Sequence, residues 1–205
     1  LSAARSTAFL GTGSQGTVTA DVAGGVQAIN TAQTAAANAA ATIEVITRND
    51  AGTSLLATQT ITASVSGPGT LSIGTTNNTA SQGRALTGTA GMDLILVFGD
   101  GTSGTSTITI SQGTTVIATK TVTFYGGVAT LTAKQNHRIA STAGAALGSS
   151  ANNAAATSIA TTPAVVITAK DTNGNAVPNL TITAVSSDTT VMSSGITVNG
   201  VTATP

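Results

Sequence analysis

The chain contains no cysteine and no tryptophan, and its aromatic residues are three phenylalanines (Phe9, Phe98, Phe124) and one tyrosine (Tyr125). The absence of cysteine excludes a disulfide framework and thiolate metal ligation. The scarcity of aromatics means that a core must be built from Val, Ile, Leu, Ala and Thr methyls, which favours closely spaced sheet faces and thin domains. Charge is equally sparse. Only 7% of the 205 residues are charged, seven basic against seven acidic, where a soluble domain usually carries roughly a quarter. There is no basic patch to track phosphates, so nucleic acid is not expected as a partner. A surface made of Thr, Ser, Asn and Gln exerts little long-range repulsion, which suits a protein held in an assembly or extracellular array. No apolar run reaches membrane-spanning length. The longest small-residue run, Ala35 to Ala41, is interrupted by Asn38, and no membrane insertion is expected. No signal peptide is visible and Leu1 is not an initiator Met, so the sequence reads as a processed or partial product.

What the chain does have is alternation. From Thr105 to Tyr125, Ile108 and Ile110 alternate with Thr107, Thr109 and Ser111. Gln112-Gly113 can turn, and Val116, Ala118, Val122 and Phe124 resume the period of two. This predicts a β-hairpin with one apolar face and one hydroxyl face. Lys120 falls on the apolar parity, which predicts a bulge or break at Thr119 to Thr121.

Residues 1–40 read as an N-terminal arm or linker with one short strand at Thr17 to Val22. The Ala-rich stretch Gln27 to Ala40 reads as either a surface helix or an extended segment along a sheet. The second is favoured, because Ile29 is its only large apolar anchor and so short a helix would be marginal. Residues 41–134 read as one complete β-sandwich. Ile43 and Val45 face inward, Asn49-Asp50-Ala51-Gly52 turns, and Ile61, Ala63 and Val65 face inward again. Leu71 and Ile73 form a short strand, Arg84 to Gly88 pairs briefly, and Leu94 to Phe98, apolar on both faces, is a central strand. That is about seven strands between 41 and 125, at sandwich spacing. Val128 to Ala133 adds a strand to this module, residues 135–162 form an Ala-rich linker, and residues 163–205 hold the opening half of a second module.

An internal repeat supports the tandem. Val165, Ile167 and Ala169 repeat the pattern of Ile43, Val45 and Thr47. The turn at Gly174 matches that at Gly52, and Ile182-Thr183-Ala184 matches Ile61-Thr62-Ala63. Upstream, Thr130 to Ala133 matches Thr17 to Ala20. A half-sandwich with open edges is unstable alone. Completion by another chain, by further polypeptide, or by residues 1–40 folding back are the three options.

The segment AVVITAKDTNGNAVPNLTITA, Ala164 to Ala184, resembles the opening of bacterial immunoglobulin-like domains of the invasin/intimin type. Asp171, Gly174, Val177 and Pro178 sit on the strand–D-x-x-G-x-x-V/P–strand pattern, and Ile43 to Val65 carries a weaker version. The segment GTSTITISQGTTVIATKTVTFYGG also looks like the closing strands of Ig-like modules in tailed-phage virion proteins. The resemblance implies an all-β fold of immunoglobulin-like β-sandwich modules in tandem. It carries no catalytic residues and implies a structural role on a bacterial surface or a virion.

Candidate chemistry is thin. His137, the one histidine, has no Cys or carboxylate nearby in sequence and reads as a loop residue. Asp50, Asp100, Asp171 and Asp188 lie at turns and read as Asx caps rather than a calcium set. Gly11, Gly13 and Gly16 mimic GxGxxG, but no hydrophobic strand precedes them and no helix follows. Asn77 and Asn179 stand in glycosylation sequons that a Thr-rich chain produces by chance. No catalytic, cofactor-binding or metal residue is nominated, and no cofactor is expected. The function expected from sequence is a structural, non-enzymatic component of a phage virion (capsid decoration, fibre or other head or tail surface subunit), located at the virion surface. Its partners would be like subunits, homo-oligomeric through added strands, with weak glycan contact at most. The alternatives are an extracellular bacterial adhesin stalk of tandem modules and a carbohydrate-binding module, the last in need of an aromatic platform.

Overall fold

The computed structural model describes residues 1–54, 60–75, 81–88, 93–135, 138–139, 153–154, 165–183, 185, 196–198 and 201–203. The chain divides into two units. The first is Leu1–Gly127 together with Asp171–Asn175, and the second is Val128–Lys170 with Ala176–Pro205.

In the first unit the strands are β1 (Thr7–Thr12), β2 (Val26–Ile29), β3 (Ala41–Ile46), β4 (Thr62–Ser66), β5 (Thr70–Gly74), β6 (Ala85–Thr87), β7 (Leu94–Phe98), β8 (Gly104–Gln112) and β9 (Thr115–Tyr125). They form two sheets, a four-stranded one in the order β1-β3-β7-β5 and a five-stranded one in the order β2-β9-β8-β4-β6. The period-two alternation places Ala41, Ile43, Val45, Leu71, Ile73, Ile95 and Val97 of the first sheet in one core cluster. They pack there with Ala63, Val65, Ile108, Ile110, Val122 and Phe124 of the second. This is an Ig-like β-sandwich, and the seven strands from 41 to 125 fall where the alternation puts them.

The N-terminal forty residues differ from the expected arm. Ala8 and Leu10 of β1 are buried in the core, and β1 pairs antiparallel with β3 along its whole length. Val26 of β2 is buried too, and β2 runs parallel to β9. Thr17 to Val22 is not a strand. The Ala-rich stretch is neither wholly helix nor wholly extended. It holds β2 and then a single 3₁₀ turn, Ala36–Asn38. Ala36 and Ala39 cover Leu96 and Phe98 on the outer side of the four-stranded sheet, which explains why β7 is buried at these two outward positions as well as at its core-facing ones.

The β8–β9 hairpin forms as expected, with Gln112 opposite Thr115 and Gly113 at φ 56°. Glycine at the first of two loop positions fits a type II′ turn. The irregularity is displaced from Thr119–Thr121. Ile110 pairs with Ala118 but Ser111 pairs with Val116, so Ile117 is the extra residue of a bulge. Lys120 keeps its inward parity because its ammonium reaches the Asp21 carboxylate, 2.7 Å away.

In the second unit, β10 (Thr130–Gln135) pairs antiparallel with β13 (Val165–Lys170). Val128 to Ala133 therefore belongs with the second module rather than closing the first. Short pairs β11 (Arg138–Ile139) with β12 (Asn153–Ala154), and β14 (Ile196–Val198) with β15 (Val201–Ala203), complete the described strands of this unit.

The repeat is visible as hydrogen bonding. After β3, the Asn49 amide donates to the Thr53 carbonyl, the Gly52 amide to the Asn49 carbonyl, and the Thr53 amide to Asn49 Oδ1. After β13, the Asp171 amide donates to the Asn175 carbonyl, the Gly174 amide to the Asp171 carbonyl, and the Asn175 amide to Asp171 Oδ1. Gly52 and Gly174 take φ 84° and 82°. The structural counterpart of β10 is β1, not Thr17 to Ala20, because β10 pairs with β13 as β1 pairs with β3.

Candidate functional site: an uncharged hydroxyl face

Alternation that buries one side of the five-stranded sheet turns its hydroxyls to the other. Register aligns them in rows: Thr87, Thr62, Ser111 and the exposed Val116; then Ser64, Thr109 and Thr119; then Ser66, Thr107 and Thr121; then Thr105, Thr123 and Gln27. The β4, β6, β8 and β9 positions of this face include no charged residue. Ala85 stands at one edge, and Gln27 and the exposed Ile29 at the other. Thr62 and Thr87 hydroxyls lie 3.0 Å apart, and those of Thr105 and Thr123 3.3 Å apart.

Among the described residues the other sheet has no comparable face. Its outer residue Thr42 is buried beneath the 13–15 loop, accepting from the Gln15 amide and donating to the Gly13 carbonyl. Glu44 accepts from the Val18 amide. Its edges are also occupied. On β1, the Leu10 amide donates to Asp21 Oδ1, the Leu10 carbonyl accepts from the Val22 amide, and the Thr12 carbonyl accepts from Gln15 Nε2. On β5, Leu71 exchanges both backbone hydrogen bonds with Gly83.

The charged groups brace backbone. Arg84 donates to the carbonyls of Val65, Gly67 and Gly69. Burial raises the Asp100 pKa, but bonds from the Gly69 and Thr102 amides and the Arg84 charge outweigh it and leave it below its ordinary value. The Lys120 hydrogen bond holds Asp21 low, with burial opposing and the Leu10 amide assisting. Burial also raises Asp171. Bonds from the Gly126 amide, the Asn175 side chain and the amides of Asn175 and Asn173 overcome that and lower it to about 2. Asn173 Nδ2 in turn donates to the Ser103 carbonyl and hydroxyl. Among the described residues Asp93 alone moves up, through burial and the neighbouring Glu44 charge.

Asp100 and Asp171 are thus turn caps in separate loops. Asp50 is exposed on the Asn49–Gly52 turn. His137, Asp188 and Asn77 lie outside the described residues, and Asn179 is exposed in a turn at φ 58°. Of Gly11, Gly13 and Gly16, only Gly11 borders an open depression of ≈ 280 Å³, with Gln15 and Val18 also in its lining. It offers no phosphate cradle, since the Gln15 and Val18 amides are engaged by Thr42 and Glu44. Phe98 and Phe124 are fully buried, and Phe9 and Tyr125 are half-buried on different sheets, so no two aromatics combine into a platform for sugars. Among the described residues no group of three or more His, Cys, Asp or Glu could hold a metal ion. Among them, too, no helix is long and apolar enough to cross a membrane.

No protein-family model matches the chain, and no curated protein sequence does. Among solved structures it is similar to domains 5–6 of the S-layer protein SbsC, at 21% identity and a TM-score of 0.33, covering 76% of this chain and 62% of that one. It is also similar to domains 4–9 of the surface layer protein SbsC, at 21% identity and a TM-score of 0.31, covering 86% of this chain and 24% of that one. These matches are surface-layer proteins and neither is a virion protein. The expected virion component and its virion-surface location are corrected on that finding. At such scores the likeness carries no argument about activity, substrate or partner.

Proposed function

We propose that the chain is a structural segment of a bacterial cell-surface protein: tandem Ig-like modules that act as a stalk or array element outside the cell, by folding and contact rather than turnover. One observation carries this reading. In the first unit Asp21, Glu44, Arg48, Arg84, Asp100 and Asp171 all hydrogen-bond backbone groups of loops and strand edges. Chemistry-bearing groups are thereby committed to stiffening a sandwich whose exposed sheet face is uncharged. Stacked rigid modules need nothing more to hold a partner or tip at a distance. The Asp171-Thr172-Asn173-Gly174 turn followed by Val177-Pro178 adds support, as the stretch that resembles invasin/intimin-type modules.

Proteolytic shaving of intact cells of the source organism tests the proposal. Peptides of this chain are expected in the released fraction from unlysed cells. Their recovery only after lysis would refute the surface location.

A further inference from the structure

We infer that the hydroxyl face of the five-stranded sheet is a homotypic contact surface, whose partner is the same face on a second copy of this chain. The inference rests on the structural reading above and names the partner and the surface.

The sequence suggested assembly by added strands, and the first unit closes that route at two edges. Leu10 uses both outward backbone groups on Asp21 and Val22, and Leu71 uses both on Gly83. The other two edge strands, β2 and β6, have four and three residues, too short to template a long addition. The outer side of the four-stranded sheet lies under the 13–18 loop and the 3₁₀ turn. Of the described sheet faces of the first unit, the hydroxyl face remains.

Its chemistry matches itself. A hydroxyl both donates and accepts, so Thr and Ser rows can oppose an identical set without any complementary charge. The face has no Lys, Arg, Asp or Glu to be desolvated or repelled, and the whole chain has formal net charge +0. A two-fold related pair, in which the same patch serves both sides, is the simplest closed arrangement. Strands about 4.8 Å apart, rising about 3.4 Å per residue, give the face about 400 Å². That is half of the roughly 800 Å² per partner of a standard stable interface. Association of free chains is therefore weak, and it becomes effective where many copies are tethered side by side. A neutral polysaccharide is the competing occupant, and the face offers it one aromatic side chain, the half-buried Tyr125 opposite Ile29 at the β2 edge.

The test is sedimentation of the whole chain from about 10 μM to about 1 mM, the range where weak contacts populate. The parent chain is compared with Thr107→Lys and Thr121→Lys, and Tyr125 fluorescence verifies that each variant is folded. The expected result is concentration-dependent self-association that drops at least about tenfold in either Lys variant. Mixing Thr107→Lys with Thr107→Glu should restore it. A parent chain that stays monomeric at the highest concentration overturns the inference. So does self-association indifferent to the Lys variants, or a monomeric chain that binds a soluble neutral glucan and loses it on Thr107→Lys. None of these outcomes bears on surface location, which the shaving experiment decides separately.

Discussion

Replacing Gly69 with alanine isolates a steric requirement at the crossing between the two sheets. The Gly67-Pro68-Gly69 turn carries the chain from β4 in one sheet to β5 in the other. Gly69 sits at φ 94°, and a Cβ there would stand 2.6 Å from the Phe98 carbonyl oxygen and 2.9 Å from Cε2 of Phe124. Neither neighbour can retreat. Thr70 pairs with Phe98 in the β5–β7 ladder, and Phe124 is fully buried in the core. The left-handed conformation alone costs an L-residue about 1–2 kcal/mol, and forcing a methyl into a packed core adds about 1–3 kcal/mol. Gly69→Ala should therefore lose about 2–5 kcal/mol. Gly101 is the internal control, with φ 95° and nothing within 4 Å of its would-be Cβ. Gly101→Ala should lose only the conformational part, about 1–2 kcal/mol. Tyr125, the single tyrosine, lies on β9 and reports on the first unit by its fluorescence. With a urea m-value of about 1–3 kcal/mol/M, the two midpoints should separate by about 0.3 M or more. Coincident midpoints would refute the placement of this turn beneath Phe124.

Three further perturbations follow from the same structure. Phe124→Ala removes a fully buried ring from the centre of the core and should cost about 3–5 kcal/mol, read as a lowered urea midpoint at Tyr125. Asp171, held at about 2 in the fold against about 3.9 unfolded, stabilises fully above about pH 4, and this contribution is lost as pH falls toward 2. Asp171→Asn should flatten the fall of the midpoint over that window. It should not abolish it, since Asp21 and Asp100 are lowered as well. Lys120→Ala should cost at most about 1 kcal/mol, because Asp21 is largely exposed and the pair is screened. Asp21→Ala should cost more, about 1–3 kcal/mol, because it also strips the cap from the amide of buried Leu10. Equal losses in the two variants would remove Asp21 from its role at the β1 edge.

Legibility in the sequence tracked side-chain size. Strands with Ile, Leu, Val or Phe at every second position, such as β3, β7 and β8, announce both their existence and their inward face. β1 does not, because Ala8 is its small inward residue and Gly11 breaks the pattern. Its strand character comes from pairing with β3 rather than from its own propensity. β2 has one buried residue, Val26, and depends on β9 in the same way. The bulge was misplaced for a related reason. Lys120 looked like a misfit on the apolar side, and only the fold brings Asp21 within 2.7 Å of it. The hydroxyl face was legible from the start as the second half of the alternation. Its isolation as an open sheet surface was not, because that depends on loops covering the other sheet.

The two Asx turns show how one local motif acquires different strength from its surroundings. After β3 and β13 the backbone hydrogen bonds are the same, and glycine supplies the positive φ in both. Asn49 has one side-chain acceptor oxygen and uses it within the turn, on the Thr53 amide. Asp171 has two. Oδ1 makes the turn by accepting from the Asn173 and Asn175 amides, while Oδ2 accepts from the Gly126 amide just beyond β9 and from Asn175 Nδ2. A carboxylate can satisfy both sets at once, and an amide cannot. The Asn-to-Asp difference between the two copies of the repeat is therefore an electrostatic one. The first turn is closed by neutral hydrogen bonds at any pH, whereas the second relies on a carboxylate that four converging donors keep ionised down to about pH 2. Acid should loosen the second turn before the first. Amide exchange at Asn175 rising below about pH 3, while Thr53 stays unchanged, would demonstrate that order.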